Sequence, residues 1–410
     1  MAKFLPFHAL MPAPEKVAAV AAVPYDVVNT EEAAALAEGN PLSFLRVSRP
    51  EIVLAPGTDL YSDEVYAKAA ANFKRLCKEA PLEEDPEANL YVYSLKMGEH
   101  TQVGIAGAAS AADYDADIIK KHEKTRRDKE DDRARHVMEL RNHSGPVFLT
   151  YRDSAEIDAV VNGIMKEKPY FSFTAPDGIE HKLWKAGKER SLKLSRIFDT
   201  EVPLFYIADG HHRAASASRA AATCRAANPK HTGKEDYNYF LAVTFPASQL
   251  RILPYNRVVK DLNGLTHAEF INKVSEKFII SATTNPSPEG SGEFCMYFDG
   301  RWSLLRPRFD ISSLGVIEQL DVSILQDNIL APILGIDDPR TSKRIDFIGG
   351  IRGTKELEKL VNAGKGVVAF SMYPTTLNQL MAIADANAIM PPKSTWFEPK
   401  LRDGLVSHNF

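Results

Sequence analysis

Between the apolar run Val202-Pro203-Leu204-Phe205-Tyr206-Ile207 and the alanine-rich stretch 214–227 lies the charged pentapeptide Asp209-Gly210-His211-His212-Arg213. The first run reads as a buried strand and the second as a helix of high intrinsic propensity, which makes the pentapeptide the turn of a strand–turn–helix unit. Such a junction concentrates anion-binding devices. Free N–H groups and the positive end of the helix dipole favour phosphate, and Gly210 permits close backbone approach. His211, His212 and Arg213 add donors, the arginine fork being able to grip phosphate at two points. Asp209 acts in the opposite sense and would repel phosphate unless it binds a bridging Mg²⁺ or orients a histidine. Two other readings of the turn stay open. One is a plain tight turn with Asp209 as helix cap and the histidines exposed. The other is a zinc site, weakened because adjacent histidines diverge and no CxxC or HExxH accompanies them.

Helical and strand-like segments alternate along the rest of the chain without a repeat, which predicts a mixed α/β (α+β) protein. A helix is expected over 63–79, with Val65, Ala69, Phe73, Leu76 and Cys77 on its apolar face. Strands are expected at 90–93, 103–105, 146–149, 239–243 and 367–370, and helices near 320–334 and 377–386. The run 120–135 is almost entirely polar or charged, the signature of a solvated helix face or a mobile loop. Its 410 residues suffice for two or three lobes. The division is expected between 260 and 265, giving 1–262 and 263–410.

Composition removes several function classes. With 50 Lys+Arg against 54 Asp+Glu the net charge is −4, which argues against a broad electrostatic grip on nucleic acid or anionic membrane. The three cysteines, Cys77, Cys224 and Cys295, have no metal-binding or dithiol spacing. No apolar run is long enough to span a membrane, and the N-terminus lacks a signal-peptide core, so a cytoplasmic location is expected.

Two further clusters can carry chemistry. His122-Glu123-Lys124-Thr125 opens the charged run, and its glutamate becomes a general base if the fold presents it to a substrate hydroxyl. Lys393-Ser394-Thr395 follows two prolines in Met390-Pro391-Pro392, which fix an extended segment tipped with a cation and two hydroxyls. For each, a surface role is the plainer alternative.

These clusters coincide with the landmarks of a known family. Tyr206-Ile207-Ala208-Asp209-Gly210-His211-His212-Arg213 resembles the signature of a domain-of-unknown-function family related to the free L-serine kinases, on a ParB/sulfiredoxin-like fold. Pro6-Phe7, Pro24-Tyr25-Asp26-Val27, His122-Glu123-Lys124-Thr125 and Met390-Pro391-Pro392-Lys393-Ser394-Thr395-Trp396-Phe397 are similar to its other landmarks. The likeness to the serine kinases proper is narrower: it covers His122-Glu123, Asp209–Arg213 and, more faintly, Pro392–Thr395. Residues 127–200 and Pro24-Tyr25-Asp26 have no obvious counterpart there.

The resemblance implies a ParB/sulfiredoxin-like core with an additional C-terminal α/β lobe. It also implies a Mg²⁺-dependent kinase that moves phosphate from ADP or ATP to the hydroxyl of free L-serine or a similar metabolite. Gly210, His211, His212 and Arg213 would hold the nucleotide phosphates and Asp209 the metal. Glu123 would take the hydroxyl proton, and His122 would orient Glu123. Lys393, Ser394 and Thr395 would close over the phosphates or the substrate from the C-terminal lobe, and Arg126 would help neutralise transferred charge. A nucleotide-sensing module without catalysis is the alternative, ahead of a ParB-like DNA clamp. Sulfiredoxin-like chemistry is excluded, since it needs a cysteine where His211 stands.

Overall fold

In the computed structural model, which describes residues 1–410, the chain forms two units: Met1–Leu250 with Pro399–Phe410, and Arg251–Glu398. The apolar runs of the first unit assemble one nine-stranded sheet. Its strands are β1 (Phe4–Leu5), β2 (Tyr91–Met97), β3 (His100–Ser110), β4 (Ile119–Lys120), β5 (Val147–Tyr151), β6 (Phe171–Thr174), β7 (Glu180–Lys185), β8 (Phe205–Asp209) and β9 (Tyr239–Pro246). Their order is β4-β8-β5-β9-β3-β2-β7-β6, with β1 also paired to β3. The sheet is mixed: β8 runs parallel to β4 and β9 parallel to β5, and the remaining pairs are antiparallel.

Four helices of this unit bear on the site: α1 (Asp63–Glu79), α2 (Arg127–Leu140), α3 (Lys188–Glu201) and α4 (His211–Ala227). One core joins Leu149, Phe205, Ile207 and Phe240 of the sheet to Leu194 and Phe198 of α3 and to Ala214, Ala217 and Ala221 of α4. The alanines leave α4 without bulk on that side, so it packs close, while the large side chains supply most of the hydrophobic stabilisation, ~1.5–3 kcal/mol each. Cys77 is half-buried beside Phe73 and Leu76 in a second core under α1.

The strand expected from residue 202 begins at Phe205, because α3 continues to Glu201 with Val202 as its C-cap. Pro203 follows and has no N–H to give a ladder. The charged run 120–135 is mostly helical: α2 packs between α1 and α4 and buries Asp132, His136 and Leu140. The helix expected over 320–334 is α-helical only at Asp321–Leu325 and widens to a π-type turn at Gln326–Leu330.

The second unit holds a six-stranded antiparallel sheet of β10 (Tyr255–Val259), β11 (Phe278–Ala282), β12 (Phe294–Phe298), β13 (Arg301–Pro307), β14 (Ile345–Gly349) and β15 (Val368–Met372), ordered β11-β13-β12-β15-β10-β14. Pairing of β10 with β14 and β15 draws residues 251–262 into this unit, ahead of the 262/263 division expected from sequence. The last residues return to the first unit, where Ser407–Asn409 pairs with Ala9–Pro12 and Asn142–His143. No helix is long and apolar enough to cross a membrane.

Candidate phosphate site

Parallel pairing explains why residues ninety positions apart meet. Ile119 and Lys120 of β4 lie beside Phe205 and Tyr206 of β8 in the same direction, so both chains leave the sheet at one end, where ligands of open α/β sheets gather. From β8 the chain enters α4; from β4 it enters the His122–Arg126 segment. That segment is stapled to the helix start. The Arg126 backbone N–H donates to His212 Nε2 at 3.1 Å, and the rings of His122 and His211 pack edge to face with centroids 4.4 Å apart. As a result the Glu123 carboxylate lies 3.8 Å from His211 Nδ1, with about half of its side chain exposed.

The helix start itself is uncapped and free of acids. Gly210 is the N-cap with φ +91°, no side chain caps the helix, and no acid sits in its first turn. The first N–H groups of a helix have no intrahelical partner, and here His211, His212 and Arg213 supply them. Gly210 is needed twice over. Its φ is left-handed, and a Cβ would meet the Arg213 guanidinium at 3.0 Å. The reading of Asp209 as cap does not hold, since its Oδ1 accepts the Gly210 N–H at 2.9 Å and lies outside the helix.

Burial sets the charges. His211 is held well below the usual imidazole range by burial, reinforced by His122. His122 is lowered to about 4 by burial, against the pull of Asp209 and a hydrogen bond with the Ile207 backbone. Both rings are therefore neutral at pH 7. His122 turns to that backbone and to the edge of His211, so the side chain beside Glu123 is that of His211, where His122 was expected.

Arg213 is buried, at 8% exposure. It donates to the Pro146 carbonyl oxygen and lies 3.6 Å from Asp209. Burial works against its charge, but Asp26, Asp209 and Asp403 outweigh that and raise its pKa. The guanidinium thus sits beneath the turn, tied down, and contributes charge to the site from below.

Asp209 faces Lys400, whose Nζ lies 3.1 Å from Oδ2. Burial would raise the carboxyl pKa, but Lys400 and Arg213 hold it well below the usual range. With one oxygen on Gly210 N–H and the other on an ammonium, both carboxylate oxygens of Asp209 are already engaged. No group of three His, Cys, Asp or Glu residues could hold a metal ion.

Lys393, Ser394 and Thr395 lie in the second unit. Lys393 takes a left-handed backbone, φ 58°, and places its ammonium 3.4 Å from the Tyr255 hydroxyl. Its carbonyl accepts from Arg257 at 3.1 Å. Ser394 is buried, donating to Pro391 O at 2.6 Å while its own carbonyl accepts from Thr375 at 2.9 Å. Thr395 follows directly and leads into the Trp396–Glu398 strand.

Sequence reasoning missed Lys400, Arg133 and Asp403, and gave Tyr25 and Asp26 no role. Arg133 stacks on the Tyr25 ring at 4.2 Å and pairs with Asp132 at 2.9 Å. Burial and Asp26 raise the Tyr25 hydroxyl, against Arg133 and Arg213. The one available signal was the Pro24-Tyr25-Asp26 landmark; Lys400 and Asp403 had none.

No curated protein matches the chain. Among solved structures it is similar to free serine kinase in complex with AMP, at 13% identity over 68% of this chain and 84% of that one, TM-score 0.35. A mutant of free serine kinase in complex with ADP matches at 15% identity over 73% and 88%, TM-score 0.35. SbnI with C-terminal truncation from Staphylococcus aureus matches at 10% identity over 73% and 85%, TM-score 0.39. A family model described as "Protein of unknown function (DUF1015)" matches residues 4–323. With that match spanning most of its length, the chain belongs to the DUF1015 family.

Proposed function

We propose that the protein is a nucleotide-dependent phosphotransferase acting on the hydroxyl of a small metabolite, free L-serine being the first substrate to test. The observation that carries this reading is the 3.8 Å approach of Glu123 to His211 at a helix start free of acids. The motif resemblance to free L-serine kinases supplies the substrate and ADP or ATP as donor. In this reading the N–H groups of residues 211–213 hold the nucleotide phosphates, and Arg213 and Lys400 add positive charge beneath them. Glu123 accepts the proton of the attacking hydroxyl. Neutral His211 can donate its Nδ1–H to that carboxylate, which fixes the direction in which it accepts. Positioning and charge supply most of the rate, because a loose phosphoryl-transfer transition state asks for little covalent help. Any Mg²⁺ would arrive on the nucleotide.

The test is incubation with ADP or ATP, Mg²⁺ and a pool of hydroxylated metabolites, followed by mass spectrometry. A gain of one phosphate on serine or another hydroxyl compound is the expected result. Nucleotide that binds and stays unchanged would make the protein a sensor.

A further inference from the structure

Behind the turn, within the first unit, lies a cavity of about 40 Å³ lined among others by Tyr25, Arg133, Gly145, Arg213 and Asp403. Two of its walls carry buried polar atoms without a partner: Nε of Arg213, 8% exposed, and Oδ1 of Asp403, 3% exposed. Buried donors and acceptors are rarely left unpaired, and two on one cavity point to something that fills it. Gly145 belongs to the same design. A Cβ there would sit 2.9 Å from Asp403 Oδ1, so glycine keeps that oxygen open.

We infer that this cavity binds the carboxylate of a small organic acid, held by the Arg213 guanidinium on one side and the Asp403 carboxyl on the other. One oxygen of such an anion can accept the free Nε–H of Arg213, a charge-assisted bond. Asp403 in its acid form donates to the other oxygen. A phosphate dianion fits less well, since Arg133 is already paired with Asp132, Arg213 lies close to Asp209, and Asp26 and Asp403 add negative charge nearby. Binding here reaches the phosphate turn directly, because the Arg213 guanidinium lies under Gly210. The carboxylate could belong to the phosphoryl acceptor or to a separate acid.

The proton on Asp403 makes the site testable. Burial raises this carboxyl and Asp26 adds to the rise, against Arg213, Arg133 and Arg402, leaving it at about 7. His136 and His143, which also face the cavity, are lowered to about 4 and about 3, mainly by burial, and stay neutral. Above pH 7 Asp403 therefore becomes an anion and repels a carboxylate.

Calorimetric titration of the full chain with acetate, glycolate and inorganic phosphate tests the inference. Acetate and glycolate should bind, and phosphate, which the helix start can take, should not displace acetate. Acetate affinity should fall about tenfold between pH 6 and pH 8, the range in which the repelling charge develops, and Asp403→Asn should flatten that profile. Val137→Phe, which fills the cavity without changing charge, should abolish binding. The inference is overturned if acetate fails to bind the unaltered protein, if phosphate displaces acetate, or if both variants bind acetate as the parent does. Glycolate that binds tighter once ADP is present would identify the carboxylate as the acceptor's; indifference to ADP would identify a separate acid. Carboxylate binding without phosphoryl transfer would refute the kinase reading and leave this one standing.

Discussion

Two short polar turns, 209–213 and 393–395, look alike as strings of cations and small polar residues, yet they differ in what the fold leaves unpaired. At 393–395 the Ser394 hydroxyl and the carbonyls of Lys393 and Ser394 are all engaged inside their own unit. At 209–213 the helix start is uncapped, Nε2 of His211 and Nε of Arg213 have no partner, and a carboxylate from a distant segment lies 3.8 Å away. A polar motif can act on a ligand when its donors remain available, and local hydrogen bonding takes up the Ser394 hydroxyl at the second turn.

The contrast can be broken most directly at Glu123. Glu123→Gln should lower turnover by ~10²–10⁴-fold, the usual worth of general-base assistance, with ADP affinity by calorimetry nearly unchanged; parallel loss of both would remove Glu123 from the role. Arg213→Ala comes next. It removes the buried cation shared by Asp209 and Asp403, leaving Lys400 alone on Asp209, so urea unfolding should report a loss of about 3–5 kcal/mol, and ADP binding to the folded fraction should weaken. An unchanged denaturation midpoint would contradict the buried setting.

Much of this was legible in the sequence. The strand–turn–helix unit and the 63–79 helix follow from periodicity and residue type, which local physics dictates. The meeting of Glu123 with His211 rests on the parallel pairing of β4 with β8, and two residues at Ile119–Lys120 are too few to announce a strand. The inward turn of Arg213 and the engagement of Asp209 by Lys400 were hidden for another reason: their partners, Pro146 and Lys400, lie 67 and 191 positions away. Helix α4 began earlier than its alanines indicated because Gly210, with its left-handed backbone, starts the helix directly at His211.

Acid provides a smaller and separable effect. His122 and His136 titrate near 4 when folded and near 6.5 when unfolded. The unfolded chain therefore binds more protons between these values, and stability should fall steadily as pH drops from about 6.5 to about 4. A stability that is flat across this window in urea titrations would mean the rings are not buried as described. At the second turn, Ser394→Ala removes one buried hydrogen bond and should cost about 1 kcal/mol without altering ADP affinity. Weaker ADP binding in that variant would erase the distinction between the two turns. The smallest effect is expected from Mg²⁺ alone, which should leave the melting temperature unchanged without nucleotide, whereas a clear rise would reveal a protein-built metal site.

A crystal structure of the protein with ADP bears most directly on the central claim. The account predicts phosphate oxygens about 3 Å from the N–H groups of His211, His212 and Arg213, with the Glu123 carboxylate facing the terminal phosphate across a gap that one small hydroxyl compound fills. Phosphates bound elsewhere, or Glu123 turned away from them, would contradict it.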